Sequence, residues 1–268
     1  MIKYKRILLT GASGALGRVL RQSLPTVTAT LRLTDRESIE PDSEHEEVTV
    51  CDLADRDAVM DLTRDVDAIV HMGGMALENT FDTIVQSNII GLYNIFEGAR
   101  RNGVKRVIWA SSVHAIGYYK RTETIEPDCL TRPDSLYGVS KVYGEAIAQY
   151  YYDKFKLESV SIRIGSCVPK PLDWRMLTTW LSYPDLQHLI ERCLTVPKVD
   201  HTILYGVSKN DETFWDNTKA SHIGYRPKDN AEIYRAEIEA NVARPDPGDP
   251  IIAYQGGPFV AAGHFEDP

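Results

Sequence analysis

Gly11, Gly14 and Gly17 stand in the stretch TGASGALG, directly after the apolar run RILLT at residues 6–10 and at the opening of a helical pattern. An apolar run stopped by glycine reads as a buried parallel strand. Glycines at this spacing permit a tight turn and a close backbone approach to a diphosphate, which then meets the positive end of the following helix. A chain that opens this way is committed to a strand, a phosphate-sized turn and a helix. The rest of the sequence repeats the unit. Strand patterns over residues 28–34, 47–51, 67–71, 104–110 and 159–164 alternate with helical patterns over 14–24, 55–64, 81–102 and 135–155. Strands alternating with helices predict right-handed crossovers and an α/β fold, a Rossmann-type doubly wound parallel sheet. After residue 165 the pattern breaks up. Short helices are expected over 174–181 and 184–193, one more strand over 201–205, and a late helix over 230–242. The expected organisation is a dinucleotide-binding unit over residues 1–165. A small substrate-side cap and tail over 166–268 should pack on the same domain.

Asp35 closes the second strand pattern, about 20 residues past the glycines. A carboxylate there accepts hydrogen bonds from an adenosine ribose and repels a 2′-phosphate, which favours NAD. Arg36 beside it is the residue that would tolerate that phosphate, and a plain strand-end turn is the other role open to Asp35. Asp52 closes the third strand and either reaches the adenine edge or caps a helix.

Tyr137 and Lys141 lie in YGVSK, one helical turn apart, so both side chains reach one site. Removing a hydride from an alcohol requires a base for the hydroxyl proton. A free tyrosine has a pKa of about 10, and moving it to about 7 takes about 4 kcal/mol of differential stabilisation. A neighbouring ammonium and a positive nicotinamide ring are expected to supply it. Ser112 ends the fifth strand, where sheets of this type bind their ligands, and its hydroxyl is placed to hold the reacting oxygen. Each feature alone is common on protein surfaces. Their order along the chain is what points to a dehydrogenase.

Composition narrows the partners. The chain carries 30 basic and 38 acidic residues, a net charge of −8, which argues against a nucleic-acid backbone as partner. No apolar run approaches the roughly 20 residues of a membrane helix, so no membrane partner is expected. With a strand expected almost from Met1, no signal peptide is expected either. The four cysteines form no CxxC pair, and a soluble, cytoplasmic chain with reduced thiols follows. The seven histidines show no spacing suited to zinc, and no metal is expected.

The glycine loop, the strand-end serine and YxxxK together resemble the extended short-chain dehydrogenases/reductases. The segments SSVHAIGYY, RPDSLYGVSK, RIGSC, RMLTTW, FWDN and YQGGPFV are similar to those of the uronate dehydrogenases, and the similarity runs through nearly the whole chain. The resemblance implies oxidation of D-galacturonate or D-glucuronate at the anomeric carbon to an aldarolactone with NAD. It places Ser13, Ala15, Leu16, Leu53, Met72, Gly73, Gly74, Asn88 and Ile164 with the glycines, Asp35, Arg36, Asp52, Tyr137 and Lys141 around the cofactor. Around the sugar it places Met75, Ala76, Ser112, Val113, His114, Tyr137, Ser166, Arg175 and Phe259. Ser166 and Arg175 match the family's sugar-facing serine and arginine, and a guanidinium fork suits a uronate carboxylate. A homo-oligomer is expected by the same analogy.

Two positions depart from the family. Val113 stands where an asparagine is usual, and Ala76 where a serine is usual, so two polar contacts are missing from the expected pocket. A dehydrogenase for a related sugar or for glucose 6-phosphate is one alternative on this scaffold. A nucleotide-sugar epimerase is a second, although the short C-terminal half leaves little to hold a nucleotide. A non-catalytic NAD-sensing module is a third, although such proteins commonly lose the tyrosine and lysine.

Overall fold

The computed structural model describes residues 3–267. The first unit is β1 (Tyr4–Thr10), the glycine turn, α1 (Ala15–Ser23) and β2 (Thr28–Asp35). β3 (Glu46–Val50), α2 (Arg56–Leu62) and β4 (Ala68–His71) follow. Along β1 the side chains alternate between the two faces of the sheet. Ile7 and Leu9 pack with Leu20, Leu31 and Leu33 on one side, and Leu8 packs with Ile69, Phe96 and Trp109 on the other. A strand buried on both faces has no polar positions to spare, which is why its sequence is a continuous apolar run.

The stretch read as one helix over 81–102 is three pieces. These are α3 (Phe81–Ile84), a wider π-helical segment over Val85–Ile90, and α4 (Gly91–Arg101). The Gly91 amide reaches back to the Gln86 carbonyl, five residues away. Such single wide turns inside helices frequently mark functional positions. Here the widened segment contains Asn88. β5 (Arg106–Ser112), the long α5 (Leu136–Phe155) and β6 (Glu158–Ile164) complete the second winding.

The expected helix over 174–181 is only partly one. After β7 (Ser166–Cys167), α6 (Met176–Thr179) stops at Trp180, and Trp180–Leu181 form β8, paired in parallel with β7. Tertiary contacts override the helical pattern there. The Trp180 indole donates to the Val168 carbonyl at 2.8 Å, and the Trp180 carbonyl accepts from Ser208 and Asn210. α7 (Tyr183–Thr195) and β9 (His201–Gly206) follow. The late helix begins as a 3-10 turn over Ala231–Tyr234 before α8 (Arg235–Asn241), and the tail adds α9 (Pro250–Ala253) and α10 (Pro258–Ala261).

The seven-stranded sheet has the order β3-β2-β1-β4-β5-β6-β9, and every adjacent pair is parallel. β9, from the second half of the chain, therefore extends the same sheet. α7 from that half packs its Leu186, Leu189 and Ile190 into the core that holds Leu20 of α1. Among the described residues, no helix is long and apolar enough to cross a membrane, and all four cysteines are free thiols.

The order reverses direction between β1 and β4, so the loops leaving these strands diverge at the carboxyl edge. A crevice at such a switch point is where open α/β sheets bind ligands. Behind the neighbouring strand ends lies a buried ion pair. Arg163 on β6 grips Glu145 on α5 with two parallel hydrogen bonds of 2.8 and 2.9 Å, and the Ser111 hydroxyl donates to the same carboxylate at 2.8 Å. Arg163 is 1% exposed and Glu145 5%. Glu145→Leu is expected to cost about 3–5 kcal/mol in urea denaturation, because it strands a buried guanidinium. Adding Arg163→Met should recover most of that loss, a non-additivity that a double-mutant cycle reads directly.

Candidate active site

The crevice at the switch point is a continuous cleft of about 560 Å³. One end is built from the two diverging loops. Gly11 has a φ of +66°, and a Cβ there would lie 2.7 Å from the backbone of Met72 and Gly73. A Cβ on Gly17 would lie 2.1 Å from the Gly11 carbonyl oxygen. The two loops approach this closely because Gly11 carries no side chain. They are pinned by Thr10, whose hydroxyl accepts from the Gly73 amide at 3.2 Å and is hydrogen-bonded to His71 Nδ1 at 2.7 Å. Burial, with Lys141 nearby, pushes His71 down to about 3, so this imidazole is a neutral tether.

α1 begins in this loop with no side-chain cap on its N-terminus. α2, α5 and α7 are each capped, by Asp55, Ser135 and Ser182. The first-turn amides of α1 thus keep unused donors beside the cleft, the arrangement that receives a diphosphate. The Asp35 carboxylate accepts from the amide and hydroxyl of Ser13, at 3.0 and 2.6 Å, and from the Arg36 amide at 2.8 Å. It is thereby fixed at the edge of the loop with lone pairs to spare, and Arg36 is exposed. Asp52 lines the same end and accepts from the Ala54 amide, while the helix cap considered for it is supplied by Asp55.

At the centre, Ser112 ends β5 and Tyr137 and Lys141 project from α5. Tyr137 is 7% exposed and Lys141 also 7%. The Lys141 ammonium donates to the Ala110 carbonyl at 2.8 Å and lies 5.1 Å above the Tyr137 ring. Burial pushes the phenol up to about 12, and a hydrogen bond from the side of Ser112 pulls the other way. The lowering expected from the ammonium is thus absent in the free protein, because desolvation wins. Bringing the phenol from about 12 to about 7 takes about 7 kcal/mol rather than about 4. Lys141 is itself pushed down to about 8 by burial.

The start of α5 is held by a residue that sequence reasoning missed. The Glu78 carboxylate accepts from the backbone amides of Leu136 and Tyr137, at 3.0 and 2.7 Å. Asn88 stands behind the cleft wall. Its amide group holds the Met75 backbone from both sides, at 2.8 and 3.1 Å, and it donates to Ser140 at 3.0 Å. It therefore reaches the cleft only through Met75.

The far end of the cleft gathers Met75, Ala76, Val113, His114, Ser166 and Arg175. Val113 is 2% exposed and packs with Ile116, Tyr205 and Trp215, so it belongs more to the core beneath the cleft than to its surface. His114 Nδ1 is 2.8 Å from the buried carboxylate of Asp134, a partner also missed from the sequence. Phe259 is not one of the residues that line the cleft, but it stacks on the His114 ring with centroids 3.8 Å apart and lies 6.1 Å from the Tyr137 ring. Ala15, Leu16, Leu53, Met72, Gly74 and Ile164 all line the cleft. Thr34, Cys51, Leu77, Ser87, Ala110, Ser111, Gly165 and Cys167 join them without having been anticipated.

Arg175 is the unusual group at this end. It donates to the Ser166 hydroxyl at 3.1 Å and to the Gln255 carbonyl at 2.9 Å, both uncharged acceptors. Its Nε is buried and finds no partner among the described residues. Burial pushes it down to about 10. The site therefore combines a cradle for a dinucleotide, a phenol and ammonium at its centre, and a guanidinium whose hydrogen bonds among the described residues go to uncharged acceptors.

Residues 7–170 match the NAD dependent epimerase/dehydratase family. The uronate dehydrogenase of Pseudomonas syringae pv. tomato is 52% identical over 265 residues, spanning 98% of this chain and 96% of that protein. The crystal structure of glucuronic acid dehydrogenase from Chromohalobacter salexigens superposes with a TM-score of 0.97 at 48% identity, covering 99% of this chain and 100% of that one. A tyrosine-to-alanine mutant of uronate dehydrogenase from Agrobacterium tumefaciens, complexed with NAD, superposes with a TM-score of 0.95 at 46% identity, covering 98% and 99%.

A buried ammonium that titrates at about 8 instead of 10.5 favours the neutral form. Between those values the unfolded chain binds more protons than the folded one, so stability rises with pH through that window. In the ligand-free protein Lys141→Met is expected to abolish this rise. It should also stabilise the fold at pH 7 by up to roughly 3 kcal/mol, read as a higher melting temperature.

Proposed function

Because the chain belongs to the NAD dependent epimerase/dehydratase family and, within it, to the uronate dehydrogenases, we propose the following reaction for its cleft. It oxidises D-galacturonate or D-glucuronate at the anomeric carbon to the aldarolactone, with NAD as cofactor. The observation that carries this reading is the Arg175 guanidinium, half-buried among uncharged acceptors in the lining of the cleft that also holds Ser112 and Tyr137. A sugar carboxylate is the charge that this position lacks, and a fork-to-fork pair with it is among the strongest contacts available.

The residues at the other end fit NAD. The touching glycines leave the loop backbone bare, the uncapped start of α1 offers amides to the diphosphate, and the Asp35 carboxylate suits the ribose hydroxyls. When bound, NAD supplies the acceptor for the hydride that leaves the anomeric carbon, and a positive ring beside the phenol. Ser112 holds the anomeric hydroxyl against Tyr137, and the Tyr137 oxygen takes its proton. Lys141, fixed on the Ala110 carbonyl, keeps donors for a ribose hydroxyl and favours the phenolate once the cleft is filled. His114, held by Asp134, turns its other ring nitrogen to a sugar hydroxyl, and Ser166 bonds the sugar beside Arg175. Orientation and proton transfer are the protein's share of the catalysis.

The same reading takes the chain as a cytoplasmic homo-oligomer. Exposed Tyr93 on α4 and Val139 and Tyr150 on α5 support assembly through these helices.

Stoichiometric NADH formation from galacturonate and glucuronate tests the reaction, and no NADH from either sugar acid counts against it. Tyr137→Phe is expected to lower kcat by about 10³-fold while the affinity for NAD, followed by fluorescence titration, stays unchanged. Arg175→Ala is expected to raise KM for galacturonate by about 10- to 100-fold, the worth of hydrogen bonds to a charged group.

A further inference from the structure

Two of the motifs read from the sequence, FWDN and YQGGPF, supply none of the groups at the reacting carbon. In the structure they are bound to each other. The Trp215 indole donates to Gln255 Oε1 at 2.8 Å. Gln255 is 0% exposed, and every polar atom it has is engaged. Its Nε2 donates to the carbonyls of Lys120 and Glu123, at 3.1 and 2.9 Å, and its amide donates to the Tyr119 carbonyl at 2.8 Å. Its own carbonyl is one of the two acceptors that hold Arg175.

The next two residues complete the contact. A Cβ on Gly256 would lie 1.9 Å from Asp134 Oδ2, the atom that pairs with His114. Gly257 has a φ of +64°, and a Cβ there would lie 2.4 Å from Arg175 Nε. The strap thus lies flat on the guanidinium, with glycine required at both steps.

We propose that the strap Gln255–Gly257, anchored by the Gln255 side chain, is the positioning element that orients Arg175 and so sets the cleft's affinity for a carboxylated sugar. This rests on the reading of Arg175 as the carboxylate clamp. An anchored peptide carbonyl is suited to the task. It fixes the plane of the guanidinium through a hydrogen bond but leaves the positive charge unneutralised. An aspartate or glutamate in its place would hold the arginine more tightly and satisfy the charge meant for the substrate. Gln255 touches neither the sugar nor the cofactor. Its effect passes through Arg175.

The test is a double-mutant cycle on the whole protein, with galacturonate and saturating NAD. Gln255→Leu keeps the backbone carbonyl but cuts the anchoring bonds. It is expected to raise KM about 10-fold, with kcat within about threefold and NAD affinity unchanged. In the Arg175→Ala background it should add nothing. Trp215→Phe removes only the indole bond to Gln255 Oε1, and it serves in the same cycle where Gln255→Leu does not fold. An unchanged KM in the folded variants, or effects that add to that of Arg175→Ala, would overturn the proposal. The clamp reading itself falls on a different result, an Arg175→Ala protein with the parental KM.

Discussion

Much of this structure depends on keeping the Lys141 ammonium out of water at the carboxyl edge of the sheet. One helix face carries three functional groups at intervals of four residues. Tyr137 faces the cleft, Lys141 reaches the Ala110 carbonyl at the end of β5, and Glu145 meets Arg163 and Ser111 behind it. The helix is thereby bolted to β5 and β6 along its length. Ser135 and Glu78 hold its first turn, where the phenol emerges. These contacts fix the helix from several sides, so the position of the phenol is held by more than one bond.

The price of this arrangement falls on stability. Lys141 and Arg175 are both held below their ordinary values by burial, and among the described residues neither forms a salt bridge. Elsewhere the chain pairs its buried charges closely, as with Arg163 and Glu145 or Arg106 and Glu158. The contrast marks the cleft as a place built around charges that arrive from outside. Tyr137 shows the same logic from the other side. In the free protein its phenol is held at about 12 by burial, so the role proposed for it requires the changed electrostatics of a filled cleft.

Most of the sheet was legible because its strands are buried on both faces and stopped by glycine, serine or aspartate at the carboxyl edge. Gly11, Asp35, Ser112, Tyr137 and Lys141 were legible for the same reason, since their spacing along a repeated unit puts them at one edge. What stayed hidden depends on long-range contact. The wide turn around Asn88 gives no sign in the hydrophobic pattern, which continues across it. Trp180 ends a helix only because Val168, Ser208 and Asn210 are waiting for it. Glu78, Asp134 and Gln255 act by bonding to groups 20 or more residues away, and nothing in their local sequence announces those partners. Val113 reads from the sequence as a cleft residue only, and it has a second role. It lines the cleft between Ser112 and His114 and also packs with Ile116, Tyr205 and Trp215 beneath, a contact that the sequence does not announce.

The contact between Gly256 and Asp134 has a consequence for how the protein is made. The glycine loop and the strands beside it are finished within the first half of the chain, but Arg175 and His114 are held by residues 254–259. On the ribosome, a nascent chain long enough to fold its sheet would still lack this closing segment. A translation product cut short there would keep the nucleotide cradle while missing the part that holds Arg175 and backs His114. Proteolytic clipping of the last turns would produce the same half-made catalyst from mature protein.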